Sequence, residues 1–298
     1  MTSLIHGKLL EQSATTTRKA LASGVLLPIR TNRTAIEDGG FTFSVRWVSS
    51  LALKDQARVA TVSRRDPDFN PFLPPEPELT VGTLGDAHLV VLNKFPVIEH
   101  HLLIVTRAWE SQSAPLTRAD FVALARVIGP HGGLGFYNGG TEAGASQPHK
   151  HLQWVPHVRD DDDEPRLDAP GGLAHGLPLA SVGETVVHPG LPWRHVFVHL
   201  DTHAWAAPER AGPMLHRAFA DAWSALWLPP PNDPMPPYNL LVTREWLMLV
   251  PRRSEKWGHV SVNSLGYAGS LFARNQEQID ELRAAGPLAV LAAVGLPR

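Results

Sequence analysis

The sequence predicts an α+β fold built around an antiparallel sheet. Apolar runs at residues 88–93 and 101–106 are separated by a short connection, and a second pair of apolar runs lies within 238–251. Strand pairs followed by helices, occurring twice, favour an antiparallel sheet over parallel β-α-β units. The two halves, about 85–157 and 195–270, share this order of elements but little sequence, which leaves an ancient duplication open.

The first part of the chain is expected to hold a helix, a strand and a rigid loop. Residues 8–24 are expected to be helical, and residues 41–48 alternate apolar and polar side chains as a strand does. Residues 63–80 are irregular, and the stretch 66–78 contains five prolines. Proline lacks the N–H that helices and central strands need, so we expect a rigid loop there.

The next elements lead to the most informative stretch of the chain. Thr117 is a favourable helix N-cap and Asp120 lies in the first turn that would follow, so we expect a helix at 118–128. Residues 132–145 are rich in glycine and are expected to form a loop. That loop leads into a strand that ends near Pro156.

The second half follows a polar interruption at 159–192, which begins with an acidic run and continues with many Pro and Gly residues. We expect this segment to be a surface excursion from a single domain that covers residues 1–298. Beyond it we expect a strand at 195–200, a helix at 211–227, a hairpin at 238–251, a glycine-containing segment at 262–270, and C-terminal helices.

Composition excludes several classes of protein. Hydrophobic residues make up 43% and charged residues 19%, the net charge is −2 with histidines neutral, and there is no cysteine. Disulfides and thiolate chemistry are therefore excluded, and no basic field is present to recruit nucleic acid. The N-terminus lacks the order of a signal peptide and no apolar run could span a bilayer, so we expect a cytoplasmic protein without a membrane partner.

Residues 146–153, Ser-Gln-Pro-His-Lys-His-Leu-Gln, place His149, His151 and Gln153 at alternate positions. In an extended segment these three side chains would share one face. The preceding glycine-rich loop, 136–145, could bring its backbone close to a phosphate. A histidine nucleophile beside a phosphate-binding loop indicates transfer of a nucleotidyl or phosphoryl group.

Either His151 or His149 could supply the nucleophilic nitrogen. Expected donors to the phosphate oxygens are Gln153, Ser146, Gln147 and the amides of Gly144 and Ala145, and Lys54, Lys94 and Arg274 are candidates for outlying phosphates. The alternatives are that the histidines only pack, or that they form half of a zinc site completed by His157, His175 or the acidic run.

Six blocks of sequence in order resemble one known family. They are Asp-Pro-Asp-Phe-Asn-Pro-Phe-Leu-Pro-Pro at 66–75, Leu-Asn-Lys-Phe-Pro-Val at 92–97, Phe-Tyr-Asn-Gly-Gly at 136–140, the 146–153 stretch, Tyr-Asn-Leu-Leu-Val-Thr-Arg-Glu-Trp at 238–246 and Asn-Ser-Leu-Gly-Tyr at 263–267. Together they resemble the ATP adenylyltransferases, the diadenosine tetraphosphate phosphorylases of the histidine triad superfamily. The resemblance covers roughly residues 40–275 and implies a histidine-triad-like antiparallel sheet with flanking helices.

The resemblance implies phosphorolysis of diadenosine tetraphosphate to ATP and ADP through an adenylyl-histidine intermediate. It makes His151 the nucleophile and Gln153 a contact to the transferred phosphate. Hydrolytic relatives have a third histidine where this chain has Gln153, and glutamine cannot act as a general base for water. The expected partners are small-molecule nucleotides and inorganic phosphate, with no tightly bound cofactor and no protein-held metal. Mg²⁺ or another divalent cation would arrive with the polyphosphate; the oligomeric state is not fixed, with a monomer slightly favoured.

The resemblance also implies a set of substrate-binding residues. At two of these positions the family usually has methionine and lysine, where this chain has Ser270 and Arg274. His100 and His101 are expected to be surface or packing residues. The alternatives for function are an adenylylsulfate or hexose-1-phosphate nucleotidyltransferase, a dinucleoside polyphosphate hydrolase, or a non-catalytic dinucleotide sensor. The implied binding residues are Lys54, Asn93, Lys94, Asn138, Gly144, Ala145, Ser146, Gln147, Asn263, Ser264, Leu265, Ser270 and Arg274.

Overall fold

The computed structural model describes residues 8–48, 69–156, 172–177 and 181–298. Its five helices in these ranges are α1 (Leu9–Ala22), α2 (Arg118–His131), α3 (Pro208–Ala225), α4 (Gln276–Ala285) and α5 (Pro287–Val294). Its strands are β1 (Thr31–Asp38), β2 (Phe41–Val48), β3 (Thr80–Leu84), β4 (His88–Leu92), β5 (Leu102–Thr106), β6 (Leu134–Gly139), β7 (His151–Val155), β8 (Thr185–Val186), β9 (Val196–His199), β10 (Tyr238–Val242), β11 (Trp246–Pro251), β12 (Lys256–Trp257), β13 (Val260–Ser261) and β14 (Ser270–Ala273).

A nine-stranded antiparallel sheet organises the molecule, in the order β3-β4-β5-β7-β6-β10-β11-β9-β8. The predicted α+β class with an antiparallel sheet is therefore confirmed. In the first half, α2 follows β5 and the spatial order is β4-β5-β7-β6. In the second half, α3 follows β9 and the order is β8-β9-β11-β10, so the two halves have the same topology. They join where β6 pairs with β10, with Asn138 opposite Asn239.

One face of this sheet packs under α2 and α3. Side chains such as Leu152 and Trp154 from β7 and Leu240 from β10 lie with Leu124 of α2 and Phe219 of α3 in the largest hydrophobic core. Full burial of each such side chain contributes about 1.5–3 kcal/mol. Thr117 begins α2 with a capping box, because its hydroxyl accepts from the Asp120 N–H while the Asp120 carboxylate accepts from the Thr117 N–H.

The opposite face of the second half is covered by a smaller sheet of order β1-β2-β14, together with α4 and α5. Side chains of β10 and β11 such as Leu241, Met248 and Val250 pack there against Phe43 of β2 and Leu291 of α5. On the same face of the first half, the strands carry His151, Gln153 and other polar groups, which form the candidate site.

The hairpins at 88–106 and 238–251 and the helix N-cap at Thr117 are confirmed. The expected loop at 132–145 is wrong in its first part, because β6 occupies Leu134–Gly139 at the centre of the sheet. Gly135 is suited to this strand because an added Cβ would lie 2.7 Å from side-chain atoms of Leu124 and Ile128. α2 also continues to His131, three residues beyond the predicted end.

Two other expectations fall partly outside the described residues. The irregular 63–80 segment is described only from residue 69, and it ends in a 3₁₀ turn, Pro77–Leu79, before β3. The expected surface excursion 159–192 is described at 172–177 and from 181 onward. Within these parts Leu173 and Leu191 are buried in the core between the smaller sheet and β11, so a purely surface location is wrong for them. Their apolar side chains anchor the connection.

Candidate active site

His151 begins β7 and is almost fully buried. Its ring Nδ1 lies 2.8 Å from the carbonyl oxygen of His149, so the proton is on Nδ1 and points at that oxygen. Burial lowers the pKa of His151 from 6.5 to about 4. The imidazole is therefore neutral near pH 7. Its Nε2 carries a lone pair that no described residue occupies.

The backbone of His151 is clamped by Gln112, a residue that the sequence did not single out. The Gln112 side-chain oxygen accepts from the His151 N–H at 2.8 Å, and its Nε2 donates to the carbonyl of Asn138 at 2.8 Å. This amide ties the start of β7 to the end of β6. A polar residue in a connecting segment gives no sequence signal for this role, because its partners are distant in sequence.

His149 is held differently from His151. It precedes β7 and forms a single bridge with Ser111, so the expected extension of the strand through residue 149 is wrong. Its Nε2 lies 2.9 Å from the carbonyl oxygen of Thr106, and its Nδ1 lies 2.9 Å from the Asn70 amide nitrogen. Both ring nitrogens are thus engaged, and only His151 has one open for bond formation. The two rings still meet at Phe72, at centroid distances of 5.6 and 5.4 Å.

Gln153 lies on the same face as His151 and is 8% exposed. Its side-chain oxygen is 2.9 Å from Nε2 of His101, a residue that the sequence analysis treated as surface or packing. The expected surface position of His101 is wrong, because the residue is buried just before β5. Burial lowers the pKa of His101 to about 4. No described residue accepts from the Gln153 amide nitrogen.

The glycine-rich loop after β6 uses some of its own amides. The Gly144 N–H donates to the carbonyl of Thr141 at 2.9 Å, and the Ala145 N–H donates to that of Gly140 at 3.2 Å. Within the described residues these two amides are therefore not free for phosphate, contrary to expectation, whereas the amides of Ser146 and Gln147 carry no such bond. An added Cβ at Gly144 would lie 2.8 Å from the carbonyl oxygen of Val262, so the loop packs closely on the segment before residue 263.

A cavity of about 570 Å³ opens beside this loop, a volume in the range of nucleotide-sized ligands. Ala145, Ser146 and Gln147 line it, as does Gln112. Because Gln112 also accepts a hydrogen bond from the His151 N–H, one residue belongs to the cavity wall and also holds the start of β7.

Asn138 connects the loop to the segment that begins at residue 263. Its side-chain oxygen accepts from the Ser264 N–H at 2.9 Å, from the Ser264 hydroxyl at 2.7 Å and from the Asn239 amide at 3.0 Å. Asn263 caps the following 3₁₀ turn, and Leu265 packs with Phe136. The expected residues Asn138, Asn263, Ser264 and Leu265 are thus brought together near β6.

The remaining expected binding residues are more scattered. Lys94 forms an ion pair with Glu76 at 2.8 Å, and Asn93 uses its side chain on His101 and on the backbone of residue 95. Ser270 is buried and its hydroxyl has no partner among the described residues, whereas Arg274 is exposed. Lys54 lies outside the described residues.

No group of three His, Asp or Glu side chains that could hold a metal ion occurs in the ranges that the structure describes. His175, one residue considered for a zinc site, is exposed, and its carbonyl lies 3.0 Å from Nε2 of His188. His157 and the acidic run lie outside the described residues. None of the helices in the described ranges is long and apolar enough to cross a membrane.

A neutral histidine with an open nitrogen, beside amide donors and a glycine-rich loop, is a site suited to nucleotidyl transfer. Two family models match the chain: the Ap4A phosphorylase N-terminal domain over residues 1–167, and the ATP adenylyltransferase C-terminal domain over residues 189–297. Ap4A is diadenosine tetraphosphate. The chain belongs to this Ap4A phosphorylase and ATP adenylyltransferase family of nucleotidyltransferases, as its sequence blocks predicted.

Individual relatives agree with this family assignment. Diadenosine 5',5'''-P1,P4-tetraphosphate phosphorylase 2 of Saccharomyces cerevisiae is 29% identical over 259 residues, which cover 80% of this chain and 78% of the relative. A second protein of that organism, APA1, is 28% identical over 72% of this chain and 71% of its own length. The crystal structure of yeast Ap4A phosphorylase Apa2 in complex with Ap4A superposes with a TM-score of 0.76, at 24% identity over 99% of each chain.

Proposed function

We propose that the protein cleaves diadenosine tetraphosphate with inorganic phosphate to give ATP and ADP, through an adenylyl group carried on His151. The observation that carries the proposal is the open Nε2 of this buried, neutral imidazole, whose other nitrogen is fixed on the His149 carbonyl. Membership in the Ap4A phosphorylase family supports the choice of substrate.

In the first step, Nε2 of His151 attacks one α-phosphorus of the dinucleotide. The bond from that phosphorus to its bridging oxygen breaks, ATP leaves with the electron pair, and AMP remains bonded to Nε2. The His149 carbonyl stabilises the positive charge that develops on the imidazole, because it accepts from Nδ1 throughout. Charge on the non-bridging oxygens requires donors. The Gln153 amide is suited to this role, as are the backbone amides of Ser146 and Gln147, which donate to no described residue.

In the second step, an oxygen of inorganic phosphate attacks the same phosphorus and the P–N bond breaks, which releases ADP. By the family resemblance, Gln153 stands where hydrolytic relatives have a third histidine, and an amide cannot act as a general base for water. The adenylyl-enzyme is therefore expected to resist hydrolysis and to react with inorganic phosphate. We propose that a divalent cation enters with the polyphosphate rather than in a protein cage.

The test is product analysis after incubating the purified chain with diadenosine tetraphosphate and Mg²⁺, with and without phosphate. Multiple turnovers that give ATP and ADP in equal amounts are expected only when phosphate is present. In the absence of phosphate, one equivalent of ATP should appear together with a protein heavier by one adenylyl group.

Other outcomes separate the rival functions. ATP and AMP formed in the absence of phosphate would identify a hydrolase. Tight binding of the dinucleotide with no products would identify a sensor. Turnover of adenylylsulfate or a nucleotide sugar at a higher kcat/KM than the dinucleotide would identify that compound as the substrate class, with the same chemistry at His151.

A further inference from the structure

A series of hydrogen bonds leads from a backbone N–H through the side chains of Asn93 and His101 to the side chain of Gln153. The Phe95 N–H donates to the side-chain oxygen of Asn93 at 3.2 Å. The Asn93 amide nitrogen lies 3.0 Å from Nδ1 of His101, and Nε2 of His101 lies 2.9 Å from the Gln153 side-chain oxygen. His101 and Gln153 are both buried, so water cannot easily substitute for a lost partner.

The direction of every bond in this series follows from its first member. A backbone N–H can only donate, so the Asn93 atom that faces it is the oxygen, and the amide NH₂ faces His101. Nδ1 of His101 must then accept, which places the ring proton on Nε2. That proton requires an oxygen as its partner, so the Gln153 oxygen faces His101 and the Gln153 NH₂ faces away.

Asn70 repeats the first part of this arrangement beside His149. Its oxygen accepts from the Phe72 N–H at 3.0 Å, and its amide nitrogen lies 2.9 Å from Nδ1 of His149. An asparagine anchored by the N–H two residues later thus sets the tautomer of a histidine twice in this site. The recurrence supports a defined polarity at Asn93 as well.

We infer that His101 and Asn93 are positioning residues that fix the orientation of the Gln153 amide, so that it presents a hydrogen-bond donor and not its oxygen to the transferred phosphate. The inference rests on the proposed function for its catalytic meaning. A freely rotating glutamine would turn its oxygen toward the phosphate in part of the population, where it would repel the anion. The family resemblance implied that Asn93 contacts the nucleotide. In this inference its role is different, because its side chain bonds to His101 and to the Phe95 N–H.

The kinetic test is a double-mutant cycle on the single-turnover rate at which ATP is released and the enzyme becomes adenylylated. His101→Phe keeps an aromatic ring but removes the donor to Gln153. We expect it to lower this rate by about 10-fold, less than the roughly 10²-fold cost of removing an oxyanion donor, because the Gln153 amide remains but is no longer held in one orientation. In a Gln153→Ala background the same substitution should change the rate by less than about 3-fold, because its effect acts through Gln153. His101→Gln, which restores a donor, should recover part of the loss.

His195→Phe, in the other half of the sheet, is the matched control for loss of a buried histidine, and it should leave the rate unchanged. A His101→Phe effect that multiplies with that of Gln153→Ala would show a general structural role and overturn the inference. So would a wild-type rate in His101→Phe.

A second measurement does not depend on turnover. Nitrogen-15 NMR of the ring nitrogens in the wild-type protein should show His101 protonated at Nε2 and bare at Nδ1. A proton on Nδ1 would mean that the hydrogen bonds of His101 run in the opposite direction. It would overturn the inference, even if the protein proved inactive on the dinucleotide. Absence of phosphorolysis combined with the expected tautomer would reject the proposed function alone, leaving the orientation of Gln153 established.

Discussion

The two halves of the large sheet share one topology, and each holds a buried histidine set in the same way. Nδ1 of His151 lies 2.8 Å from the carbonyl two residues earlier, and Nδ1 of His195 lies 2.7 Å from that of Trp193. Burial lowers the pKa of both imidazoles to about 4. Their second nitrogens differ, because Nε2 of His195 accepts from the His188 N–H at 3.0 Å, whereas no described residue contacts Nε2 of His151 with a hydrogen bond.

The surroundings explain the difference. The second half connects β10 to β11 by the short turn 243–245 and is covered on that face by the smaller sheet. The first half connects β6 to β7 by residues 140–150, which include the glycine-rich loop, and it keeps polar groups on that face. A neutral imidazole therefore results from burial and a carbonyl partner, but it could act as a nucleophile only where the fold leaves the other nitrogen accessible.

The largest expected effect comes from His151→Ala. Turnover of diadenosine tetraphosphate should be abolished, since no adenylyl carrier remains, while nucleotide affinity is largely retained because the imidazole bonds to phosphorus only along the reaction path. The measurement is kcat by product analysis together with a binding titration. Near-wild-type turnover would show that His151 is not the adenylyl carrier, and the proposed difference in role between His151 and His195 would be wrong.

Gln153→Ala should lower the rate by about 10²-fold, the typical cost of losing one oxyanion donor. The loss should fall on kcat rather than on dinucleotide affinity, as measured by single-turnover kinetics and titration. Gln153→Glu offers a matched comparison, because a carboxylate keeps the acceptor for His101 but replaces the amide donor with negative charge, and it should be at least as slow. An unchanged rate in Gln153→Ala would exclude the residue from the site.

His195→Phe should affect stability and not activity. The substitution leaves the His188 N–H and the Trp193 carbonyl without partners in a buried region, at a cost of about 1–3 kcal/mol in the free energy of unfolding. Urea unfolding gives this value, and kcat per folded molecule serves as the control. A large fall in kcat at unchanged stability would mean that the second half also carries chemistry.

The two halves should also share a pH dependence of stability. His101, His151 and His195 have pKa values lowered to about 4 from 6.5, mainly by burial. Between pH 4 and 6.5 the unfolded chain binds more protons than the folded chain. The free energy of unfolding should therefore rise as the pH is raised from 4 to 6.5, and it should fall as the pH is lowered through the same range. Urea titrations across this range test it, and His195→Phe should show a shallower slope.

The same pKa values predict the acid limit of the chemistry. Protonation of His151 would remove its nucleophilic lone pair, so the adenylylation rate should stay level from pH 8 to about 5 and fall only toward pH 4. A fall centred near 6.5 would show an imidazole exposed to water.

Several features could be predicted because their signals are local. Alternating or apolar runs predicted the hairpins, Thr117 as an N-cap with Asp120 in the first turn predicted the start of α2, and the ordered motifs predicted the family. Strand β6 was missed because its glycines indicate a loop, whereas its hydrogen bonds come from β7 and β10, which lie elsewhere in the sequence. The roles of Gln112 and His101 were missed for the same reason.

The sequence by itself determined the fold class, the family and the stretch 146–153 on which the candidate nucleophile lies. The residue types alone left His149 and His151 equivalent, since both are imidazoles in one motif, and only the family resemblance pointed to His151 as the nucleophile. The tertiary structure shows the physical difference between them, because Asn70 and Thr106 occupy both nitrogens of His149, whereas no described residue occupies Nε2 of His151. The physical reason is that the state of an imidazole depends on which donors, acceptors and apolar groups surround it, and these come from segments far apart in the chain.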